Sequence, residues 1–461
     1  MKPPCIIIGG GLSGLAAAIR LARYIPGIVL LEQHTRLGGL NSYYYRNNTL
    51  LETGLHAITN YAEPGDKRAP LNRLLRQLKI PRKNLTFHQQ ITSEIIFAGK
   101  QRLLFSNDFV LLQEEIADKF PDSIDAFFDL LNFLDQFDPF APAPFRSAKA
   151  FLLERLADPL LVDMLLCPLM YYGSSVENDM DLSQFAIMFQ AIYREGFFRP
   201  HGTIRDFLTL LSDHFLSLGG EIRRGAKVTT IIQEGKRAIG VELESGEILE
   251  SDFILSTIGH QETRTILGQQ PVDNEPNRLG FVESIFQLPV ESIPLLPRDR
   301  TVMFYSENFP FSYNQPVNLV DCRSGVICLP HNFDQITPEK TIEVRSTHLA
   351  SYSNWQAIRA DRLAYDKAKK QVRQQSLSVI EKYLGKFRDN IVYEDTFTPI
   401  TIERYTAKRH GAIYGSPIKI KDGNIGYDNL YLAGTDQGFL GIVGSMLSGV
   451  SIVNQHILPR I

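Results

Sequence analysis

The chain has 461 residues, of which 44% are apolar and 21% charged, as expected for an ordinary globular protein. A chain of this length usually divides into two domains, because a single core rarely grows so large. Its 48 basic and 51 acidic residues give a net charge of −3, which provides no general attraction to nucleic acid or to an anionic membrane.

Residues 5–39 contain the first predicted elements. An apolar run from Cys5 to Ile8 reaches a group of glycines, and an alanine-rich helical pattern then extends from Leu12 to about Tyr24. A second apolar run ends at Glu32. A strand, a glycine-rich turn, a helix and a second strand ending in an acid together predict a nucleotide-binding βαβ unit.

Each glycine of this unit has a predicted structural role. Gly9 permits the tight turn after the strand, Gly11 allows the backbone to approach a pyrophosphate, and Gly14 allows the helix to pack closely on the strand. The free amides at the start of the helix would face the phosphates, and Glu32 would accept hydrogen bonds from ribose hydroxyls. Glycines alone would also describe a flexible loop, but the flanking strand, helix and acid favour dinucleotide binding.

The next segment predicts short strands and helices inserted into the nucleotide-binding fold. Asn47 and Asn48 mark one hairpin, and Gly99 marks another. Helical patterns cover residues 70–79, 108–119 and 123–137.

A strongly apolar stretch then covers residues 150–172. Its low charge content favours a buried helix packed in the core. The same composition would suit the wall of a lipid-shaped cavity or a surface resting on a membrane. The sequence does not separate these alternatives.

The nucleotide-binding fold resumes after residue 200. A long helix ended by Gly220 leads to a buried strand, VTTII at residues 228–232, and to a hairpin that turns at residues 244–246. Residues 275–395 then predict further strands and a long helix, as a second insertion. The chain closes with a strand, a glycine-rich turn bearing Asp436, and a final helix.

This order of elements predicts an interleaved α/β protein. A Rossmann-type domain would comprise residues 1–65, 200–270 and 405–461. A substrate domain of the α+β type, with a mixed sheet plus helices, would comprise residues 66–199 and 271–404. Two domains placed one after the other would not return to the same fold in this way.

The four cysteines bear on the compartment of the protein. Cys5, Cys167, Cys322 and Cys328 show neither metal-ligand spacing nor a CxxC pair, so we expect reduced thiols and no bound metal. We therefore expect a cytoplasmic protein, which could also contact a membrane surface peripherally. The triple glycine and an arginine interrupt the apolar run at residues 5–22, which argues against a signal peptide or a membrane span there.

Four segments together carry a family resemblance: GGGLSGLAAAIRLA, LLEQHTRLGG, the later VTTII and AGTDQGFLGIVGSMLSG. Over nearly its whole length the chain resembles the FAD-dependent amine oxidase and phytoene desaturase superfamily. LETGLHAIT, ERYTAKRHGAIYGSP and GFLGIVGSMLSGV are most similar to its phytoene dehydrogenase, carotenoid isomerase and retinol saturase branch. The resemblance implies FAD as the cofactor.

The resemblance also implies which residues contact FAD. The first glycine turn would bind the pyrophosphate, the segment around residues 54–56 would lie near the isoalloxazine ring, and the helix starting near Gly444 would direct its positive end at the flavin. Val228 would contact adenine, and Asp436 would meet the pyrophosphate and ribityl chain. The implied contacts are Gly9, Gly11, Leu12, Ser13, Gly14, Glu32, Gln33, Arg36, Gly38, Gly39, Gly54, Leu55, His56, Val228, Thr257, Gly259, Gly434, Asp436, Gly441, Val443 and Gly444.

Candidate catalytic residues are few. Flavin itself transfers hydride or electrons, so the protein needs to place a carbon against the ring and exclude water. His56 is the first candidate for proton transfer or for orienting a polar group of the substrate, although a buried structural histidine fits the position equally well. Arg404, Tyr405 and Tyr414 are weaker candidates. No second GxGxxG is present, so electrons would be exchanged with oxygen, a quinone, another protein or transiently bound nicotinamide.

Three functions are compatible with these features. The leading hypothesis is an FAD-dependent oxidoreductase that desaturates, saturates or isomerises carbon–carbon bonds of an apolar polyene or isoprenoid, in a tunnel rich in Phe and Leu. An FAD-dependent amine oxidase is an alternative. A non-enzymatic prenyl-chain carrier of the GDP-dissociation-inhibitor type is another, although such proteins need no flavin. The sequence does not predict the oligomeric state.

Overall fold

The computed structural model of the protein describes residues 2–46, 48–54, 56–141, 143–270 and 278–461. Its strands are, in chain order, β1 (Cys5–Ile8), β2 (Val29–Glu32), β3 (Tyr43–Arg46), β4 (Thr49–Glu52), β5 (Ile58–Thr59), β6 (Phe87–Gln89), β7 (Ser93–Phe97), β8 (Gln101–Phe105), β9 (Phe197–Pro200), β10 (Glu221–Arg224), β11 (Val228–Glu234), β12 (Arg237–Leu243), β13 (Ile248–Glu250), β14 (Phe253–Ser256), β15 (Gly280–Pro289), β16 (Val302–Ser306), β17 (Val320–Cys328), β18 (Thr341–Ala350), β19 (Tyr393–Phe397) and β20 (Leu430–Leu432).

The α-helices connect these strands and cover their faces. They are α1 (Leu12–Ala22), α2 (Pro70–Leu78), α3 (Phe109–Lys119), α4 (Ile124–Gln136), α5 (Ala148–Leu156), α6 (Pro159–Gly173), α7 (Leu182–Phe189), α8 (Ile204–Ser217), α9 (His260–Ile266), α10 (Tyr352–Ala357), α11 (Arg362–Leu384), α12 (Pro399–Thr406) and α13 (Gly441–Ile452).

A five-stranded parallel sheet holds both ends of the chain, in the order β10-β2-β1-β14-β20. Successive side chains of a strand point to opposite faces, and a parallel sheet is covered on both. In β1, Cys5 and Ile7 pack among α1, α2, α8 and α13. Ile6 and Ile8 pack against the small antiparallel sheet β11-β12-β13. The strand is therefore apolar throughout, as its sequence predicts.

Two details differ from the sequence-based prediction. VTTII, which was predicted as a buried strand, begins β11 of the small antiparallel sheet, and β10 takes the place beside β2 in the parallel sheet. Only Val228 and Ile231 of the five VTTII residues are buried, because one face of this sheet is exposed. The chain leaves α8 through Gly219, whose φ is 79°, and not through Gly220.

Helices α1 and α13 bring the two ends of the chain together. A Cβ atom placed on Gly449 of α13 would lie 2.1 Å from the carbonyl oxygen of Ser13, so only glycine permits this close approach. The helical stretch Gly441–Arg460 has the length and mean hydropathy, 1.2, of a membrane span, but half of its apolar window is buried. A core helix of a globular protein has these same properties.

A seven-stranded mixed sheet forms the second layer, in the order β19-β15-β18-β17-β16-β7-β8. Strands β16 and β7 are parallel, and the other neighbours are antiparallel. One face packs on α11. The other face packs on α6 and a large aromatic cluster. The predicted α/β class, with a Rossmann-type sheet and a mixed sheet plus helices, is confirmed.

The apolar stretch at residues 150–172 forms α5 and most of α6. Every α6 residue from Leu161 to Tyr171 is buried in the core, and Tyr171 and Tyr172 at the end of the stretch also line a large cavity. Helix α2 packs against α1 and α13 in the nucleotide-binding core, although the boundary expected at residue 66 assigns it to the substrate domain. α2 packs in the nucleotide-binding core because its apolar face lies against α1 and α13. The domain boundaries themselves stay a prediction.

Candidate active site

The first glycine turn begins where β1 ends. Gly9 has a φ of 105°, and a Cβ atom on Gly14 would lie 2.0 Å from the carbonyl oxygen of Gly9. These two glycines therefore allow the turn and the packing of α1 on β1. Gly11 differs, because its φ of −71° and ψ of 177° suit any residue. A Cβ atom there would meet only the oxygen of Gly38, at 4.0 Å. The space beside the backbone of Gly11 is therefore open.

Glu32 ends β2 beside this turn and is 7% exposed. Its Oε2 accepts a hydrogen bond from the amide of Gly10 and its Oε1 one from the amide of His34, both at 2.8 Å. A carboxylate has about four acceptor positions, so Glu32 keeps the capacity to accept hydrogen bonds from ribose hydroxyls while it holds the turn.

We expect Glu32→Ala to weaken FAD binding at least about tenfold, because hydrogen bonds to a charged group contribute about 1.5–3 kcal/mol each. Flavin absorbance per protein after purification, followed by titration with FAD, measures the effect. Glu250→Ala, at an exposed position of β13, serves as the control. Full flavin occupancy in Glu32→Ala would remove the residue from the cofactor site.

The second glycine turn follows β20 and faces the first. Gly434 has a φ of 105°, and a Cβ atom there would lie 3.6 Å from the oxygen of Thr257 and 3.9 Å from Oγ of Ser13. Helix α13 then begins at Gly441, one turn earlier than the start expected near Gly444. The turns after β1, β14 and β20 thus border one crevice at the carboxyl edge of the parallel sheet.

Polar atoms in this crevice fit a dinucleotide. Oγ of Ser13 and Oγ1 of Thr435 are buried and have no hydrogen-bond partner among the described residues. The first amides of α1 have no partner within the helix and point toward the space beside Gly11. Unpaired donors around an open crevice suit the pyrophosphate and ribityl hydroxyls of FAD.

Asp436 ties the second turn to two neighbouring loops. Its Oδ2 accepts a hydrogen bond from the amide of His260 at 2.6 Å, and its Oδ1 one from the amide of Ser416 at 2.8 Å. Burial raises the pKa of Asp436, but the charges of Lys408 and Lys419 and these hydrogen bonds outweigh burial and hold the pKa below its ordinary value. The carboxylate therefore holds the loops of His260 and Ser416 beside the second glycine turn. Its contact with the cofactor stays a prediction.

The other expected FAD contacts divide into those that border the large cavity beside the crevice and those that do not. Arg36, Gly39, Gly54, His56 and Gly441 line the cavity. Leu55 lies outside the described residues. Gln33, Gly38, Val228, Gly259, Val443 and Gly444 do not line it, and their contacts with FAD stay predictions.

The cavity has a volume of about 880 Å³. Among the described residues, its wall holds eight of the 18 tyrosines of the chain but only Phe281 and Phe397 of the 28 phenylalanines and a single leucine, Leu40. The expected wall rich in Phe and Leu was therefore wrong. Tyrosine provides an apolar ring together with a hydroxyl that needs a polar partner. The tyrosines are Tyr43, Tyr44, Tyr45, Tyr171, Tyr172, Tyr365, Tyr405 and Tyr414.

The seven-stranded sheet presents one row of side chains to this cavity. Val326 of β17 pairs with Thr347 of β18, and Thr347 pairs with Glu283 of β15, which pairs in turn with Phe397 of β19. All four residues line the cavity. Because residues in register share a face of the sheet, Glu283 is an acidic group on an otherwise largely apolar row.

His56 reaches Glu283 from the chain between β4 and β5. Its Nε2 lies 3.2 Å from Oε2 of Glu283. Arg345 is fully buried in the next row of the sheet. Its Nε lies 3.4 Å from Oε1 of Glu283 and 3.3 Å from Oε2 of Glu343. His56 is therefore one member of a buried charge cluster, which supports a polar function more than simple packing.

A second ion pair holds the backbone around His56. Arg199 of β9 pairs with Glu52 at the end of β4 and donates a hydrogen bond to the carbonyl oxygen of His56 at 3.1 Å. The guanidinium of Arg345 also donates to the carbonyl oxygen of Glu52. Both arginines are at least nine-tenths buried, so the loop carrying His56 is fixed from two sides.

Sequence analysis did not identify Glu283, Arg345, Arg199 or Glu52 as site residues. A signal was present, because Glu283 and Arg345 interrupt the apolar strand patterns of VESIFQL and of residues 341–350. A charge inside a buried strand needs a partner. Among the weaker candidates, Arg404, Tyr405 and Tyr414 line the cavity, and Tyr414 donates to the oxygen of Tyr171.

The carboxyl group of Glu283 is strongly influenced by these neighbours. Burial raises its pKa, but the charges of His56 and Arg345 and the hydrogen bond from His56 outweigh burial and hold the pKa below its ordinary value. The group is therefore a carboxylate at neutral pH.

We expect this lowered pKa to make the protein sensitive to acid. A carboxyl whose pKa is lower in the folded state stabilises the fold above about pH 4.3, the ordinary value for Glu, and this contribution is lost as the pH falls through the folded value. In Glu283→Gln the difference in free energy of unfolding between pH 7 and pH 3 should shrink, as urea denaturation would measure. An unchanged difference would contradict this prediction.

Comparison with known proteins agrees with this geometry. The chain belongs to the family of flavin-containing amine oxidoreductases, whose sequence model matches residues 12–289. It is 24% identical to the 4,4'-diaponeurosporene oxygenase of Staphylococcus aureus strain Mu50 over 482 aligned positions, 94% of each chain. It is 22% identical to the all-trans-retinol 13,14-reductase of Danio rerio, over 98% of this chain and 86% of that one.

Solved structures share the fold. An oxidoreductase from Methanosarcina mazei superposes with a TM-score of 0.70 at 15% identity, covering 98% of this chain and 100% of that one. The family and the crevice together define the protein as an FAD-dependent oxidoreductase. A non-enzymatic carrier is thereby set aside.

Proposed function

We propose that this enzyme acts on carbon–carbon bonds of a long apolar polyene or isoprenoid, by desaturation, saturation or isomerisation. The observation that supports the proposal is the aromatic wall of the cavity that borders the FAD crevice. Tyr171 and Tyr172 of α6, Phe281 of β15 and Ile442 of α13 form part of the surface of this cavity. Such a surface suits a flat, conjugated chain because ring faces pack against extended π systems.

The names of two relatives favour the same class of substrate. One specifies diaponeurosporene and the other all-trans-retinol. Both alignments cover nearly all of this chain.

The residues of this chain would bind and orient the polyene. When bound, FAD supplies hydride or electron transfer. The aromatic wall would hold the polyene in place and exclude water, and the cluster of His56 and Glu283 would hold or move a proton beside it. A hydrocarbon chain needs few polar contacts, so the position of the reacting carbon depends on the shape of the wall.

Anaerobic spectroscopy of the holoenzyme tests this function in both directions. We expect polyenes such as phytoene or all-trans-retinol either to bleach the oxidised flavin or to reoxidise flavin that has been reduced with dithionite. Product analysis by chromatography covers isomerisation, which leaves no net change in the flavin. Putrescine and benzylamine are the comparison compounds. If amines alone change the flavin, the enzyme is an amine oxidase and the proposal is wrong.

A further inference from the structure

The first turns of helix α11 differ in charge from the rest of the protein. Residues 359–373, which include these turns and the connection from α10, contain six basic and two acidic residues, a net charge of +4. The chain as a whole carries a net charge of −3. A local concentration of positive charge attracts an anionic surface even where the whole protein does not.

Helix α11 has a buried face and an exposed face. Tyr365 and Val372 are buried in a hydrophobic cluster. Leu363, Lys367 and Lys370 are spaced by four and three residues, so they lie together on the opposite face of the helix. Both lysines are exposed, and Leu363 is 85% exposed. An exposed leucine beside lysines is typical of a helix that lies on a membrane surface.

The two lysines of this face differ from the other cations of the segment. Each of the other four cations lies 2.6–3.9 Å from a carboxylate oxygen. Lys367 and Lys370 form no ion pair with any residue that the structure describes. Their charges are therefore available to an anionic partner.

The large cavity opens beside this face of α11. Arg362 and Asp366 of α11 line the cavity and are exposed, as are Arg404 and Tyr405 of α12 and Tyr45 of β3. A residue that both lines a cavity and is exposed to solvent marks its open side. These five residues define the cavity mouth, in which the side chains of Tyr45 and Tyr405 are 41% and 53% exposed.

Contacts between side chains hold the elements of the cavity mouth together. Asp395 of β19 accepts a hydrogen bond from the hydroxyl of Tyr44 on β3 at 2.9 Å, and Nζ of Lys369 on α11 lies 3.7 Å from the same carboxyl group. Arg359, which precedes α11, lies 3.9 Å from Glu403 of α12. Strand β3 and helices α11 and α12 therefore surround one opening.

The chemistry of this surface favours a lipid bilayer as its partner. An acidic protein would also attract the lysines, but it gives no reason for a leucine that is 85% exposed. Leucine inserts into the boundary between headgroups and acyl chains, and tyrosines are enriched at the same depth. A long apolar polyene leaves water for a bilayer, so a cavity that receives it gains from an opening at the bilayer surface.

We propose that the face of α11 formed by Leu363, Lys367 and Lys370 docks the cavity mouth on an anionic bilayer, from which the polyene enters the cavity. The lysines bind lipid phosphates, and Leu363 inserts among the headgroups. Docking rests on this surface alone, whereas delivery of the substrate rests on the proposed function.

Flotation of the holoenzyme with lipid vesicles tests the docking. The vesicles are made of phosphatidylcholine alone or of phosphatidylcholine mixed with phosphatidylglycerol. We expect the protein to bind the mixed vesicles at low ionic strength and to be released as salt screens the lysines. It should bind phosphatidylcholine alone much less. Absence of binding to the mixed vesicles, or equal binding to both kinds, overturns the proposal.

Variants then assign the binding to this face of α11. Lys367→Glu combined with Lys370→Glu should weaken binding to the mixed vesicles at least about thirtyfold, because each lysine near an anionic bilayer contributes about 1 kcal/mol. Leu363→Ser should weaken it about tenfold by removing the inserted side chain. Lys236→Glu combined with Arg237→Glu is the matched control, since both residues are exposed and lie outside the cavity wall. It makes the same change in net charge and should keep the binding.

Delivery of the polyene separates this inference from the proposed function. Phytoene is supplied either in the mixed vesicles or in neutral detergent micelles, and electron exchange with the flavin is followed anaerobically. The double lysine variant should lose exchange from vesicles and keep exchange from micelles. If this variant still binds vesicles like the unmodified protein, the docking face is wrong, while exchange from micelles supports the function. If phytoene exchanges no electrons from either carrier, delivery of this substrate is overturned, while vesicle binding that the lysine variant loses still supports the docking.

Discussion

Gly11→Val should yield a folded protein that contains almost no flavin. The backbone at Gly11 has a φ of −71° and a ψ of 177°, which valine adopts without strain. A Cβ atom there meets only the oxygen of Gly38, at 4.0 Å, so the chain itself tolerates the change. The added methyl groups would occupy the space that a pyrophosphate needs. Circular dichroism and flavin absorbance per protein measure the two effects separately.

Gly14→Ala is the matched comparison within the same turn. Its Cβ atom would lie 2.0 Å from the oxygen of Gly9, so we expect it to destabilise the fold by about 1–3 kcal/mol or more, as overpacking does. We therefore expect the two substitutions to have different effects. Gly11→Val should lose FAD binding, and Gly14→Ala should lose stability of the fold. A Gly11→Val protein with full FAD absorbance would show that the pyrophosphate lies elsewhere.

Arg345→Met should lower the free energy of unfolding by about 3–5 kcal/mol, the usual cost of removing one partner from a buried ion pair. Arg345 is fully buried between Glu283 and Glu343, and it also donates to the backbone of Glu52. Methionine fills a similar volume but leaves the two carboxylates without their shared cation. Urea denaturation at pH 7 measures the loss.

Arg323→Met is the control for this variant. Arg323 pairs with Asp321 on an exposed part of the same sheet, with 61% of its side chain accessible, and an exposed ion pair contributes only about 0–1 kcal/mol. If Arg345→Met were as stable as the unmodified protein, the charge cluster would not hold the sheet and the loop of His56 together.

Local patterns predicted the nucleotide-binding part of the fold closely. The spacing of Gly9, Gly11 and Gly14 and the position of Glu32 follow from how one strand, one turn and one helix must contact each other within about 30 residues. The structure has β1, α1 and β2 at the expected positions. Such contacts are short in sequence, so a single sequence carries enough information to predict them.

Strand placement over longer distances was less predictable. VTTII has the composition of a buried strand, yet the preceding β10 pairs with β2 and leaves β11 to the small antiparallel sheet. The composition of a strand indicates burial, but the choice of neighbour depends on the other strands that compete for the same edge.

The sequence by itself determined a dinucleotide-binding α/β fold, because the first glycine turn and Glu32 are local patterns with specific spacing, and its resemblance to a known superfamily implied FAD and an oxidoreductase. Only the tertiary structure decided that His56 meets Glu283, that Arg345 lies behind them, and that tyrosines line the cavity. These residues come from distant parts of the chain, and the register of β15, β17 and β18 brings them to one face. That register depends on the packing of the whole sheet, so no local pattern contains it.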